Sequence, residues 1–133
     1  MKAMDRCSVE IQTHTQGECF VFRTAGEAEQ RDGALVVYYE QEGDRVELKL
    51  TERALWMRRT GQSVLSACFQ TGQTSFMKIK LGESEGNIPV DVSDYSVTFT
   101  PFNCLARLSY FLFSQEKQHF QLKIKIQLIS EGK

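Results

Sequence analysis

Arg59 is the residue of this chain best placed to do chemistry. In the run Ala54–Thr60 it shares the parity of Leu55 and Met57, so an extended strand turns its guanidinium toward the same side as those apolar residues. A buried, unpaired charge is expensive, and an acceptor is therefore expected close by. Glu40, with the Tyr38 and Tyr39 hydroxyls beside it, is the expected partner. Such a group has two uses. It can be an ion pair or carbonyl clamp that closes one end of the fold, or it can hold the carboxylate or phosphate of a ligand at the mouth of a pocket.

The other reactive residue types point away from catalysis. His14 and His119, the two histidines, fall on the polar parity of their segments among Glu10, Gln12, Gln121 and Lys123, which predicts surface positions and no inward imidazole for a haem or a metal. The four cysteines, Cys7, Cys19, Cys68 and Cys104, form no Cys-x-x-Cys pair, so neither a zinc site nor a redox dithiol is expected. Free, mostly buried thiols are expected. A Cys7–Cys19 disulfide across a first hairpin is the alternative, which a reducing cytosol disfavours. No Gly-x-Ser-x-Gly elbow, His-Glu-x-x-His helix or phosphate-binding glycine loop occurs. The absence of these motifs lowers the enzyme reading without abolishing it, so an unassigned enzyme ranks behind a binding or structural role, and no cofactor is expected. Glu40, Glu42 and Asp44 gather around a turn, where a solvated hairpin tip is a commoner arrangement than a calcium or acid–base site.

These residues are carried by a long series of alternating segments. Cys7, Val9, Ile11 and Thr13 take one parity, and Ser8, Glu10, Gln12 and His14 the other. Phe20, Phe22 and Thr24 continue the pattern to Asp32-Gly33, a dipeptide suited to a tight hairpin. Leu35–Glu40, Val46–Leu50, Ala54–Thr60, Val64–Gln70 and Ser75–Leu81 follow, with turn signals about every 10 residues, the rhythm of a sandwich or barrel. The segment 83–87 reads as a loop and Ile88-Pro89-Val90 as at best an edge strand, because proline cannot donate to a ladder. In the last strand Phe120, Leu122, Ile124, Ile126 and Leu128 share one face and His119, Gln121, Lys123, Lys125 and Gln127 the other. The fold class is therefore all-β, an antiparallel up-and-down barrel of about 8–10 strands. Closure also removes the exposed edges that so long a terminal strand would present.

At 133 residues, residues 1–133 read as one domain. Sixteen Lys and Arg against seventeen Asp and Glu leave a net charge of -1, which steers the whole molecule to neither nucleic acid nor an acidic membrane. Neither a signal-type apolar stretch nor a membrane-spanning run is present, so a cytoplasmic location is expected. Lys78, Lys80, Lys123 and Lys125 alternate with apolar residues on two strands. With Phe76 the one aromatic on their parity, they read as a solvated face and not a nucleic-acid surface. In Leu105–Ser114, Ala106, Leu108, Tyr110 and Leu112 make one side apolar while Phe111 and Phe113 make the other apolar too. Either another segment covers that outer side, or it is the contact of a homodimer.

Tyr38-Tyr39-Glu40, Arg59-Thr60-Gly61, Phe69-Gln70-Thr71-Gly72 and Tyr110, in this order and ahead of the alternating strand after His119, resemble the YwiB-like family of uncharacterised bacterial proteins. The resemblance spans most of the chain and implies a lipocalin-like barrel of the calycin type, with no activity attached. The lipocalin Gly-x-Trp signature is absent, since the single tryptophan is Trp56. A barrel of this kind is expected to hold a small, partly apolar ligand oriented by Arg59, Glu40, Tyr39 or Tyr110, in an interior lined by Phe20, Phe22, Leu48, Met57 and Leu122. The alternative is an interaction or structural module whose interior is filled with side chains and which acts as a homodimer.

Overall fold

A computed structural model describes residues 5–113 and 116–129, and its regular elements are strands: β1 (Asp5–Thr15), β2 (Glu18–Arg31), β3 (Ala34–Gln41), β4 (Asp44–Leu50), β5 (Ala54–Thr60), β6 (Ser63–Gln70), β7 (Thr74–Leu81), β8 (Ser84–Phe99), β9 (Asn103–Phe113) and β10 (Lys117–Leu128). Each strand pairs antiparallel with the next, and β1 pairs with β10, so the meander closes into a barrel. Tight turns suffice to join antiparallel neighbours. Gln16-Gly17, Asp32-Gly33 and Glu42-Gly43 each place two successive residues at positive φ, the geometry that matches the twist of a two-residue hairpin.

Two strands are long enough to serve both sides of the barrel. β2 follows β1 as far as Ala28 but meets β3 only from Glu27 onward. At this corner Gly26 lies so close to β3 that a Cβ would sit 2.5 Å from the Tyr38 carbonyl oxygen, which explains a residue without a side chain there. β8 makes the second corner. It pairs with β7 from Ser84 to Asp91 and with β9 from Val90 to Phe99, with a bulge between Val92 and Asp94. The stretch expected to be a loop and a short edge strand is thus one continuous strand. Pro89 is tolerated because the β9 ladder begins only at Val90, so on that side Pro89 is an edge position.

Inward parity supplies the core. Cys7, Val9, Val37, Val46, Leu50, Val90, Ile124 and Ile126 are fully buried, and each large aliphatic side chain so buried contributes about 1.5–3 kcal/mol. Their burial is not uniform along the barrel axis, and that gradient creates the site.

Candidate functional site

The turns at 16–17, 42–43, 61–62 and 82–83 lie at one end of the barrel, and the connections 51–53, 71–73 and 100–102 at the other. Toward the second end most inward residues are buried, Leu35, Leu48, Leu55, Phe69, Val92, Cys104 and Ile126 among them, while Val97 and Leu128 are partly buried and Phe99, last in β8, is 40% exposed. The Tyr95 hydroxyl donates to the Thr51 carbonyl at 2.8 Å, tying a loop of that end to the interior. Toward the first end the same parity opens to solvent. Phe22, Leu65, Ile79, Ile88, Phe120 and Leu122 are only partly buried against the core, and Phe20 and Leu81 at the rim are 54% and 59% exposed. The barrel is thus tightly packed at the second end and more loosely at the first, whose inward-facing side chains we term the cup. Of the residues expected to line a cavity, Leu48 belongs to the packed floor, Phe22, Met57 and Leu122 to the cup, and Phe20 to its rim.

Arg59 does point inward, at the cup's edge, but its partner is not Glu40. Its Nε donates to Asp44 Oδ2 at 2.7 Å, and Nη2 lies 3.5 Å from both Glu42 Oε1 and the Gln41 carbonyl. Glu40 lies on the Tyr38 side of β3, exposed and opposite Arg45, while Tyr39 faces inward. Parity accounts for the difference: Asp44 shares the inward side of β4 with Val46 and Leu48. Asp44 is therefore occupied in holding Arg59, while Glu40 and Glu42, the latter 82% exposed, stay on the solvated side of the hairpin as expected. Gly61 leaves the space that the Asp44 carboxylate fills, since a Cβ there would collide with it. The hydrogen bond to Asp44 holds the Arg59 guanidinium above its already high range. One cation with two carboxylates leaves this rim cluster net negative, so the reading of Arg59 as an anchor for a ligand carboxylate or phosphate loses its electrostatic basis.

Tyr39 and Tyr110 occupy the boundary between floor and cup. Tyr39 leans on Phe22 with ring centroids 5.7 Å apart, and Tyr110 stands between Phe69 (4.8 Å) and Phe120 (5.3 Å). Burial pushes both hydroxyls up to about 12, with the Arg59 charge opposing the shift at Tyr39. Both are thus protonated donors at neutral pH. Among the described residues neither hydroxyl has a hydrogen-bond partner, and no buried side-chain nitrogen or oxygen lacks one. Both residues are nearly enclosed, at 7% and 8% exposure.

The other candidates fall outside it. His14 and His119 are on the outer face as expected; His14 Nε2 lies 3.6 Å from Cys19 Sγ, and His119 bonds Ser109 Oγ at 2.8 Å. Among the described residues no three His, Cys, Asp or Glu side chains gather as a metal site requires. All four cysteines are free. Cys7 faces Gly26 and Cys19 faces His14, seven residues further along β1, which rules out the Cys7–Cys19 pairing. Lys78 and Lys80 on β7 are separated from Lys123 and Lys125 on β10 by two whole strands, so the four make no single stripe. On the outer side of β9, Phe111 is covered from within the chain: the His119 ring stacks on it at 4.5 Å and Lys117 Nζ sits 4.6 Å from its centroid. Among the described residues no helix is long and apolar enough to cross a membrane.

The architecture defines a class: a closed ten-stranded antiparallel meander with one packed and one open end. The chain belongs to the family described as Domain of unknown function (DUF1934), whose model matches residues 6–126. Its fold is similar to that in the crystal structure of ywiB protein from Bacillus subtilis, with a TM-score of 0.85 over 98% of this chain and 96% of that one at 16% identity. No curated protein matches the sequence significantly.

Proposed function

We propose that this protein is a non-catalytic binding protein whose open barrel end takes a small, mostly apolar ligand with an uncharged polar head. The observation that supports this reading is the exposure of inward-facing apolar side chains mainly at one end, above two tyrosine hydroxyls without partners among the described residues. Apolar surface held in a concave site gains by covering, at about 25 cal/mol per Å² removed from water. The hydroxyls of Tyr39 and Tyr110 supply the orienting hydrogen bonds. The negative rim cluster of Arg59, Asp44 and Glu42 disfavours an anionic head. The alternative, a homodimer through the outer side of β9, keeps Phe113 as its support, 37% exposed and with Lys117 Nζ 5.8 Å from its ring.

Titration with the neutral dye Nile red, paired with native mass spectrometry of protein purified from its own host, tests the reading. Saturable, blue-shifted, one-to-one binding that Leu122→Arg abolishes while the fold persists is the expected result. Dye binding that is unsaturable, or equal in wild type and Leu122→Arg, overturns it.

A further inference from the structure

The outer wall carries a second site, separate from the cup. β6 pairs with β7 only over Ser63–Ser66 and Lys78–Leu81. Beyond Ser66 the two strands part, because β6 stays in register with β5 to Gln70 while β7 is drawn toward β8, with Thr74 opposite Asp91. Gly72 and Gln73 at the hairpin tip bond to Val92 of β8, and the Ser75 hydroxyl bridges the split to the Cys68 carbonyl at 2.8 Å. The split is the base of a groove of about 490 Å³ on the outer surface.

Two aromatic side chains flank this groove, Trp56 from β5 and Phe76 from β7, 41% and 53% exposed. Lys49 Nζ lies 5.3 Å from the Trp56 ring centroid, and Arg58 and Lys78 line the same groove. Cys68 gives it an uncharged wall, since burial pushes that thiol up. On the outward parity of β4, β5 and β7 the charged residues are Arg45, Lys49, Arg58, Lys78 and Lys80 against Glu47 alone. Glu47 also lines the groove, and Glu40, Glu47 and Glu85 stand opposite Arg45, Arg58 and Lys80, so in a chain with a net charge of -1 this aromatic-bearing groove is cationic through Lys49, Arg58 and Lys78 against Glu47. Spacing along the sequence sets only Phe76 beside Lys78 and Lys80. The fold adds Trp56, and with it the second ring that stacking needs.

We propose that this groove binds single-stranded nucleic acid, with bases stacked on Trp56 and Phe76 and phosphates met by Arg58, Lys78 and Lys49. Exposed rings set among cations are how sequence-tolerant strand binding works, because every base has a π-face and every linkage a negative charge. From β4 to β6 is two strand spacings, about 10 Å, and the split between β6 and β7 widens the groove further, room for a few nucleotides.

Trp56 is the single tryptophan, so its fluorescence reports this groove directly. Titrating the full chain with a ten-residue oligothymidylate at 50 mM salt is expected to quench it saturably. Raising salt to 200 mM is expected to weaken binding about 20-fold, for roughly three phosphate contacts. Followed by anisotropy of a labelled strand, Phe76→Ala is expected to cost about tenfold and the double change Arg58→Glu, Lys78→Glu to abolish binding, both with unchanged circular dichroism and unchanged Nile red binding. No quenching at 50 mM salt overturns the proposal. So does equal affinity for thymidine monophosphate, which makes the site one for free nucleotides, or for inorganic polyphosphate, which makes it a site for charge alone.

Discussion

The two ends of the barrel are built from the same alternation and finish differently. Along β10, Ile126 and Ile124 are buried, and Leu122 and Phe120, two and four residues further toward the other end on the same face, are not. The connections explain the contrast. At the packed end three of the four connections are longer than the two-residue Asp32-Gly33 turn, and two of those are fixed by threonines: Thr51 Oγ1 accepts from the Arg53 and Ala54 amides, and Thr100 Oγ1 from the Asn103 amide. The Leu128 and Ile129 amides bond to Phe102 and Arg6 across the same end. At the open end, two-residue turns such as Gln16-Gly17 and Glu42-Gly43 return the chain at once, and Glu42 reaches only the rim, where it meets Arg59. A closed ladder fixes the barrel wall, while the longer, hydrogen-bonded connections help to cover one end.

Core truncations break this comparison most sharply if it is wrong. Ile124→Ala or Leu50→Ala removes a side chain enclosed on all sides, and each is expected to cost about 2–5 kcal/mol, because a cavity is left as well as the transfer energy. Leu122→Ala removes a side chain already facing the cup, leaves no enclosed void, and is expected to cost about 1 kcal/mol. Urea denaturation measures both. Equal losses would mean that the open end is as tightly packed as the floor.

Alkaline pH sharpens the same contrast through the thiols of the floor. Burial pushes Cys7 and Cys104 up to about 11, from an ordinary 9.0. Both states hold the proton below pH 9, so the stability is complete there. Between pH 9 and 11 the unfolded chain releases protons that the folded one retains, and stability falls as pH rises, by at most about 1.4 kcal/mol per pH unit for each thiol. The joint change Cys7→Ala, Cys104→Ala is expected to lower stability at pH 8 and to flatten the decline from pH 9 to 11. A decline of unchanged steepness would assign it elsewhere.

Much of this architecture is legible in the chain before it folds. Strict alternation after His119 defines β10 and its wet and dry faces, and the X-Gly dipeptides mark the hairpins. The parity rule that sends Arg59 inward also sends Glu40 outward, because Tyr39 faces in; applied to Asp44, it finds the true partner. Three features have no local signal. β8 runs through Pro89 because it changes partners there, which only its neighbours determine. The cup depends on how far each strand projects past the packed floor. The groove beside Trp56 exists because β7 follows β8 instead of β6, a competition among three strands that no spacing within one of them records.

The smallest expected effects lie at the rim, where the comparison becomes one of charge. Arg59 and Asp44 side chains are each 29% exposed, so solvent screens their pairing. Asp44→Ala is accordingly expected to cost about 1 kcal/mol or less, and less still at high salt. Gly61→Ala places a methyl where the Asp44 carboxylate sits and should act in the same direction. Because both changes remove one interaction, the double variant should lose no more than the larger single loss, which a double-mutant cycle measures. Removing Asp44 also cancels the excess negative charge of the cluster, leaving Arg59 against Glu42 alone. An anionic probe such as anilinonaphthalene sulfonate should bind Asp44→Ala more tightly than wild type, while Nile red binds both alike. If the anionic probe does not distinguish them, the carboxylates at the rim do not select the head group, and the cup reads its ligand through the tyrosine hydroxyls alone.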